Sequence, residues 1–294
     1  MDVQLITVFT PTYNRAYILN NLYESLKRQT SKSFEWIIVD DGSVDMTESL
    51  VSEWLKNEDL FPIKYIKKVN EGKHIAINVG VEHANGDWFF IVDSDDYLYD
   101  DAIEKVVKWT QDIENDDIAA VSGTRCFKDG STIGGDIKFD DGYVDCKNNE
   151  RNKFGLTGDK AEVYKTEVLK KFPFPKFENE TFLSEGAVWD LIAYKGYMIR
   201  WYNKPLVVCE YLEDGLTSKL TKNDLDLNNF IGYTYYTKIQ LKIYRGIEKF
   251  RILKKYVRIA KRKGMSLLAI SRTIEINLFY VVLLNLYNMF KNNK

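Results

Sequence analysis

The chain has 294 residues, of which 45% are hydrophobic and 29% are charged, and its formal net charge is -2. This composition is typical of a globular protein with one large domain and an appendage, or with two small domains. The near-neutral charge excludes nucleic-acid binding driven by the charge of the whole chain. Two histidines exclude a zinc site built from several histidines. The three cysteines lack a C-x-x-C spacing, which favours a reducing, cytoplasmic compartment, and the N-terminus lacks the pattern of a secretory signal.

Short apolar stretches alternate with segments of helical periodicity over the first 110 residues. Residues 4–9, QLITVF, predict a buried strand, and the spacing of apolar residues predicts a helix over about 16–28. Strands are also predicted in FEWIIVD, IKYIKKV and DWFFIVD, and the helix after the first of these should begin at a capping box of Asp45 and Glu48. Repeated strand–helix units of this length favour an α/β fold with a mostly parallel sheet flanked by helices.

Three of the predicted strands end in polar residues, in the sequences TPTYNR, VDDGS and VDSDD. Because ligands bind beyond the carboxyl ends of strands in open parallel sheets, these tips should face one common edge. Carboxylates are hard ligands for Mg²⁺ or Mn²⁺, which divide their coordination between one or two carboxylates and substrate phosphates. The tips therefore predict a nucleotide site with a divalent cation. The alternative is a set of solvated turns with an aspartate capping the next helix.

The blocks VFTPTYNR, FEWIIVDDGS and NEGKHIAINVG…FFIVDSDD, in this order, resemble the family-2 inverting glycosyltransferases of the Rossmann-like GT-A fold. The resemblance covers about residues 3–110 and continues more weakly to about residue 217. It implies a sugar donor such as a UDP-sugar, Mn²⁺ or Mg²⁺ as cofactor, and a saccharide or lipid-linked acceptor in surface polysaccharide or glycolipid assembly. It also implies a catalytic domain over 1–222, with a nucleotide-binding half (1–110) and an acceptor-binding half (111–222), followed by a helical extension over 223–294.

The resemblance implies a role for each strand tip. The first tip would hold the base and ribose, and Asp41, with Asp40 beside it, would bind the base. In the D-x-D element Asp93-Ser94-Asp95, Asp95 would bind the metal and Asp93 the ribose or the metal, while Asp96 would cap the next helix. The complete implied donor set is Pro11, Thr12, Tyr13, Arg15, Asp40, Asp41, Lys73, Asn78, Asp93 and Ser94.

One position of the donor site departs from the family pattern. Relatives often carry A-R-N where this chain has Ala76-Ile77-Asn78, and the isoleucine cannot hold a phosphate. Lys73, one helical turn upstream, is the nearest cation that could do so.

Inverting transfer also needs a carboxylate to take the proton of the acceptor hydroxyl. Relatives place this base in an E-D pair before an aromatic residue. In the sequence SEGAVWD, Glu185 holds the first position and Gly186 replaces the second. Glu185 is therefore the candidate base and Asp190 the alternative, while Asp159 is a candidate acceptor contact. The nearby sequence YMIRWYN lacks the Q-x-x-R-W pattern of processive synthases and predicts a strand with a surface Arg200.

The C-terminal part begins with a basic amphipathic helix over 238–263, broken near Gly246, and continues with an apolar segment that is too short to span a membrane. At about 100° per residue, Asn277, Asn285 and Asn288 share one side of that segment. We expect these helices to bind the inner face of the cytoplasmic membrane as a peripheral anchor, or to pack on the catalytic domain or on a second subunit.

Two functions from other classes compete with glycosyl transfer. A catalytically degenerate nucleotide-sugar-binding or scaffold protein would explain Ile77 and Gly186. A glycoside hydrolase would also use two carboxylates, but it needs no nucleotide site, so the strand tips would be unexplained.

Overall fold

The computed structural model describes residues 5–135, 137–139, 142–210 and 221–292. The chain divides into two compact units: the first comprises Met1–Pro175 and Lys195–Leu212, and the second comprises Lys176–Tyr194 and Glu213–Lys294. This division differs from the predicted boundary at residue 222, because residues 176–194 cluster with the C-terminal helices. The segment 211–220, just before the predicted boundary, lies outside the described residues.

The first unit contains one sheet, in which nine strands are present within the described residues. The strands run in the order β3-β2-β1-β4-β8-β6-β9-β5, and β7 pairs with β9. Their bounds are β1 Ile6–Thr12, β2 Phe34–Asp40, β3 Ile63–Lys67, β4 Trp88–Ile91, β5 Tyr97–Leu98, β6 Ile118–Cys126, β7 Tyr143–Cys146, β8 Lys160–Lys165 and β9 Met198–Val208. The helices of this unit are α1 Leu19–Lys27, α2 Thr47–Asn57, α3 Lys73–His83, α4 Ala102–Gln111, the 3₁₀ helix Asn148–Phe154, and α5 Thr166–Lys171.

Strands β1 to β4 of the nucleotide-binding half are parallel, as the strand–helix alternation predicts, whereas the short β5 is antiparallel to β9. Strands β1, β2 and β4 are buried along their whole length, which is why they read as continuous apolar runs. The rest of the sheet is mixed, because β8 is antiparallel to both β4 and β6. The α/β fold is thus confirmed, and the parallel arrangement is concentrated in the part of the sheet that carries the predicted tips.

Adjacent strands end together at one edge. Thr12 is paired with Asp40 in the β1–β2 register, and the N–H of Asp41 donates to the carbonyl of Thr12 at 2.8 Å. The N–H of Val92, just after β4, donates to the carbonyl of Phe9 at 2.9 Å. The three polar tips therefore leave the sheet on the same side, as expected.

Two local predictions are wrong. Helix α2 begins at Thr47 after Met46, and Asp45 lies one position too early to cap it; its Oδ1 accepts from the N–H of Thr47 at 3.0 Å in a local turn. Glu48 does not close a capping box, because its carboxylate is bound by Lys67 at 2.7 Å.

Arg200 is not a surface residue. Its side chain is only 11% exposed, it donates two hydrogen bonds to the carboxylate of Asp145, and its guanidinium lies 3.8 Å from the ring centroid of Tyr143. The sequence did not indicate the antiparallel pairing of β7 with β9 that places these partners beside it.

The second unit is helical, with α6 Gly186–Tyr194, α7 Lys222–Asn228, α8 Phe230–Ile243, α9 Gly246–Arg262, α10 Leu267–Thr273 and α11 Leu278–Asn292. The predicted break near Gly246 is confirmed. The apolar segment that follows α9 is divided into two helices, because Glu275 has a left-handed backbone (φ 57°) between α10 and α11. Buried side chains of α8, α9, α10 and α11 form a common core that includes Tyr233, Tyr256, Ile270 and Val281. None of the helices in the described residues is long and apolar enough to cross a membrane.

Close backbone packing at Gly86 positions β4. A Cβ at this residue would lie 2.6 Å from the N atom of Thr7 and 2.7 Å from the carbonyl oxygen of Leu5. We expect Gly86→Ala to lower the free energy of unfolding by about 1–3 kcal/mol, because backbone atoms of a buried strand cannot move aside. Urea unfolding measures this. Glu82→Ala, at an exposed position of α3, is the control and should stay within about 0.5 kcal/mol of the unmodified chain; equal effects of the two substitutions would contradict the packing argument.

Candidate active site

The loops after β1 and β2 are bonded to each other. Asn14 has a left-handed backbone (φ 54°). Its N–H donates to Ser43 Oγ at 2.8 Å, and its side-chain oxygen accepts from the N–H of Val44 at 2.9 Å. Tyr13 is exposed beside this connection, and Arg15 Nη1 donates to the hydroxyl of Tyr17 at 2.9 Å. The first tip thus presents an aromatic ring and a cation at this edge, and its role in binding a base and ribose stays a prediction.

Asp40 and Asp41 are both buried and act as acceptors within the protein. Asp40 accepts from the N–H of Ser43 at 2.7 Å and from the hydroxyl of Tyr65 at 2.5 Å. Asp41 accepts from Lys68 Nζ at 2.7 Å. It also accepts from the backbone N–H groups of residues 71 and 72, at 3.0 and 2.7 Å. Asp41 therefore fixes the loop that leads into α3, and any contact with a base would be added to this structural role.

The carboxylates after β4 are neutralised by two cations from other elements. Lys73 Nζ, at the start of α3, lies 2.5 Å from Asp93 Oδ1. Arg125, the second-last residue of β6, forms an ion pair with Asp96, and its Nη1 lies 3.9 Å from Asp93 Oδ2. Burial alone would oppose ionisation of Asp93, but the charges of Lys73 and Arg125 outweigh it and lower the pKa of that carboxyl.

The pKa values of Asp95 and Asp96 shift in the same direction: burial raises the pKa of Asp96 to about 6 even beside Arg125. Burial, together with the negative charge of Asp93, raises the pKa of Asp95. A carboxylate in such surroundings gains from a cation that arrives from outside. No group of three or more His, Cys, Asp or Glu side chains within the described ranges could hold a metal ion alone. An ion of the Mg²⁺ type takes one or two carboxylates and completes its shell with water and phosphate oxygens.

The predicted role of Asp96 as a helix cap is wrong. Helix α4 begins at Ala102 after Asp101, five residues downstream, and Asp96 is buried in the ion pair with Arg125. Sequence reasoning missed Arg125, although a signal was present. A single arginine in the apolar strand IAAVSGTRC has to find a carboxylate, because an unpaired buried charge is strongly destabilising.

Other predicted donor residues have varied surroundings. Pro11 and Thr12 end the buried strand β1, and Ser94 is buried between the two carboxylates of the D-x-D element. The side chain of Asn78 is bonded to the backbone of Phe174, donating to its carbonyl at 2.8 Å and accepting from its N–H at 2.9 Å. Asn78 thus braces a chain segment, and this bonding leaves it poorly suited to the predicted donor contact.

Two buried polar atoms lack a hydrogen-bond partner near this edge, as judged over the part of the chain that the structure describes. They are Thr12 Oγ1, at the end of β1, and His74 Nδ1, in the first turn of α3. Burial lowers the pKa of His74 to about 4, so its imidazole is neutral at physiological pH. Unsatisfied buried polar atoms are costly, and their presence is a common feature of binding sites.

The two candidate bases lie in the second unit and differ in accessibility. Glu185 immediately precedes α6 and is half-buried. Asp190, in the middle of α6, is buried, and its carboxylate accepts from the hydroxyls of Tyr236 at 3.3 Å and Tyr244 at 3.5 Å. An acceptor hydroxyl can reach a half-buried carboxylate more readily than one enclosed by phenols. In the first unit, the candidate acceptor contact Asp159 is exposed.

Comparison with known proteins identifies the family. Residues 7–172, more than half of the chain, match the model of Glycosyl transferase family 2. The chain belongs to glycosyltransferase family 2. An uncharacterized glycosyltransferase of Rickettsia felis is 38% identical to it over 107 residues, which are 36% of this chain and 17% of that relative. The putative glycosyltransferase EpsH of Bacillus subtilis is 30% identical over 138 residues, 47% of this chain and 39% of EpsH. This family-2 chain thus spans less than half of the length of these curated relatives.

Solved structures support the expected fold. TarS 1–349 of S. aureus in complex with UDP-GlcNAc superposes with a TM-score of 0.63 at 18% identity, over 97% of this chain and 89% of TarS 1–349. The mannosyltransferase PcManGT from Pyrobaculum calidifontis, in complex with GDP-Man and Mn²⁺, gives a TM-score of 0.56 at 18% identity, over 98% of this family-2 chain and 88% of the other. These likenesses confirm the GT-A fold.

The two cations of the carboxylate cluster should differ in their effect on stability. Arg125 has a side chain only 12% exposed, so Arg125→Met leaves the buried carboxylate of Asp96 without its ion-pair partner, and we expect it to lower the free energy of unfolding by about 3–5 kcal/mol. Lys73 is 38% exposed, and Lys73→Met, the matched control, should cost less than about 1 kcal/mol. Urea unfolding without divalent metal measures both, and equal losses would contradict the assignment.

The loss of stability in Arg125→Met should also depend on pH. Burial raises the pKa of Asp96 to about 6 even beside Arg125, and loss of the guanidinium would raise it further above that of the unfolded chain. The folded state would then bind more protons than the unfolded state, so the free energy of unfolding should rise as the pH falls from 7 to 5. A variant whose stability falls over this range would contradict the proposed cluster.

Proposed function

We propose that the chain is a metal-dependent inverting glycosyltransferase that moves a sugar from a nucleoside-diphosphate sugar, such as a UDP-sugar, to an acceptor hydroxyl. The observation that carries this proposal is the carboxylate cluster after β4, where Asp93 has a built-in counter-cation and Asp95 has a raised pKa. A protein has little reason to keep such a cluster at a strand tip unless a cation binds there. Support comes from TarS 1–349, solved with UDP-GlcNAc, and from PcManGT, solved with GDP-Man and Mn²⁺.

Asp95, with Asp93 beside it, would hold Mn²⁺ or Mg²⁺, and the ion would supply positive charge against the diphosphate leaving group. Lys73 lies at the start of α3, and in the proposed complex it would exchange its contact with Asp93 for one with the diphosphate. The unpartnered Thr12 Oγ1, the exposed Tyr13 and the cation of Arg15 would bind the base and ribose at the first tip. Asp41 would keep the loop before α3 in place through its hydrogen bonds to the backbone of residues 71 and 72.

Glu185 would take the proton of the acceptor hydroxyl as its oxygen attacks the anomeric carbon, and the nucleoside diphosphate would leave from the opposite face. General base catalysis of this kind contributes about 10²–10⁴ in rate. The replacement of the second acidic residue of the E-D pair by Gly186 has a physical reason. A Cβ at this position would lie 2.5 Å from the hydroxyl of Tyr236, which hydrogen-bonds to Asp190.

We expect Asp95→Asn to abolish the Mn²⁺-dependent part of UDP binding without lowering the stability of the metal-free chain. Removing the negative charge of residue 95 should even relieve its repulsion with Asp93. Isothermal titration of UDP with and without Mn²⁺, together with urea unfolding, measures both quantities. Asp100→Asn, at an exposed carboxylate paired with Arg28 at 3.1 Å, is the control and should bind normally. Unchanged Mn²⁺-dependent affinity in Asp95→Asn would overturn the metal assignment.

Glu185→Gln should lower kcat by about 10²–10⁴ and leave the donor KM nearly unchanged. Asp190→Asn, the paired variant, should mainly lower the free energy of unfolding, by about 1–3 kcal/mol, because the buried carboxylate accepts from two phenols. Steady-state kinetics and urea unfolding separate the two effects. If Asp190→Asn is stable and inactive while Glu185→Gln is active, the roles are reversed.

The competing proposal is a nucleotide-sugar-binding or scaffold protein without turnover, which Ile77 favours because it replaces a phosphate-binding arginine. The two functions differ in one measurement. With UDP-sugar and Mn²⁺ but no acceptor, a transferase should slowly release UDP by hydrolysis, and a binding protein should release none.

We further propose that the acceptor is a saccharide or a lipid-linked molecule in the assembly of surface polysaccharide or glycolipid, and that the enzyme works as a peripheral protein at the inner face of the cytoplasmic membrane. This proposal rests on the basic helix α9 and on the apolar helix α11 that follows it.

A further inference from the structure

Helix α11 packs in the opposite orientation from the one that its sequence suggests. Its asparagine side faces the protein: Asn288 Nδ2 donates to the carbonyl of Lys254 on α9 at 3.0 Å. Val281 and Leu284, which lie within about 60° of Asn288 around the helix, are completely or almost completely buried. Asn288 is therefore used for packing, whereas Asn277 is exposed at the start of the helix.

The opposite side of α11 is apolar and exposed. Phe279, Leu283 and Leu286 lie within about 60° of one another at the spacing i, i+4, i+7. They are 71%, 46% and 43% exposed, and Met289, on the same side, is 58% exposed. We call these four side chains the α11 face. Contiguous exposed apolar side chains on a helix mark an interaction surface, because water contact with each of them is unfavourable.

Basic side chains of α9 border the α11 face. Residues 238–263 contain eleven Lys and Arg and only one acidic residue, Glu248. Some of these charges are used within the unit, such as Lys255, which pairs with Asp226 at 2.5 Å. Lys254 is placed at the border, with its Nζ 5.3 Å from the ring centroid of Tyr287 on α11. Arg251, three residues before it on α9, is 66% exposed and pairs with the exposed Glu248 at 2.6 Å.

This charge distribution distinguishes between possible occupants. A second copy seated on the α11 face in a two-fold arrangement would bring two copies of the basic helix α9 towards each other, and like charges would repel. An anionic lipid surface offers apolar chains for the α11 face and negative headgroups for α9 at the same time. Helix α11 has 15 residues, a length of about 22 Å, which is shorter than the hydrocarbon core of about 30 Å.

We propose that α11 lies in the plane of an anionic membrane surface, with the α11 face inserted between headgroups and acyl chains and with Arg251 and Lys254 against the headgroups. This names the surface through which the proposed membrane contact is made. Only the biological role of this membrane contact rests on the proposed function, because the contact with lipid would form with or without sugar transfer. Binding should be reversible, because one helix face and several charges give far less affinity than a membrane span.

The test is co-sedimentation of the full chain with vesicles of phosphatidylcholine and phosphatidylglycerol, with pure phosphatidylcholine vesicles for comparison. We expect binding to the anionic vesicles at 0.05 M NaCl and release at about 0.5 M, where screening is strong. The double variant Phe279→Ser/Leu283→Ser should weaken binding at least tenfold, since burying each side chain contributes favourably. Because both positions are exposed, the variant should fold normally. Arg251→Gln/Lys254→Gln should weaken binding to anionic vesicles only.

The matched control is Leu55→Ser/Leu60→Ser, which replaces two leucines of similar exposure (45% and 48%) in the first unit and should bind vesicles normally. No binding at low salt, or binding that Phe279→Ser/Leu283→Ser leaves intact, would overturn the inference. A dimer detected by light scattering that Phe279→Ser/Leu283→Ser dissolves, without vesicle binding, would assign the α11 face to a second copy instead. UDP binding, measured on the same samples, reports separately on the proposed function, so that a chain that binds vesicles but no UDP contradicts only the latter.

Discussion

The buried ion pair between Arg125 and the carboxylates after β4 is the interaction on which the nucleotide half depends. Arg125 is deep in the sheet, and Asp93 and Asp96 follow the central strand β4. Three carboxylates within four residues could not be buried together if their charges were left to repel. By neutralising Asp96 and part of the charge of Asp93, the guanidinium makes this turn compatible with a folded protein. Asp95, whose pKa is raised by burial and by the charge of Asp93, would gain from a further cation.

Rigid connections between loops hold the rest of this edge. Asn14 joins the loop after β1 to the loop after β2, and Asp41 joins the latter to the segment before α3. Lys73 follows that segment and reaches Asp93. A ligand at the edge would therefore meet a surface already ordered by internal hydrogen bonds, which reduces the conformational entropy lost on binding. The same bonds explain why several aspartates that look like ligand contacts in the sequence have structural tasks as well.

The sequence was sufficient for the features that depend on short-range patterns. Apolar runs and helical spacing predicted the four parallel strands and their common edge, and the ordered motifs predicted the family and the GT-A fold. Features that depend on contacts between distant residues were not predictable in this way. The Asp96–Arg125 pair joins residues 29 positions apart, Arg200 meets Asp145 across 55 positions, and Asn78 meets Phe174 across 96. Helical periodicity predicted that the asparagines of α11 share one side of the helix. It could not predict that Asn288 packs against α9, because that contact joins distant residues.

The glycine that follows Glu185 links two positions far apart in the chain. Because the hydroxyl of Tyr236 occupies the space into which a side chain at residue 186 would project, a side chain there requires Tyr236 to move or to be replaced. A relative that carries an acidic residue at the position of Gly186 should carry a smaller residue at the position of Tyr236, and its counterpart of Asp190 would then lose a phenol partner. Restoring the common family pattern in this chain would therefore displace the phenol of Tyr236 and its contact with Asp190. In evolutionary terms, residues 186 and 236 are coupled, so that the order in which they change matters.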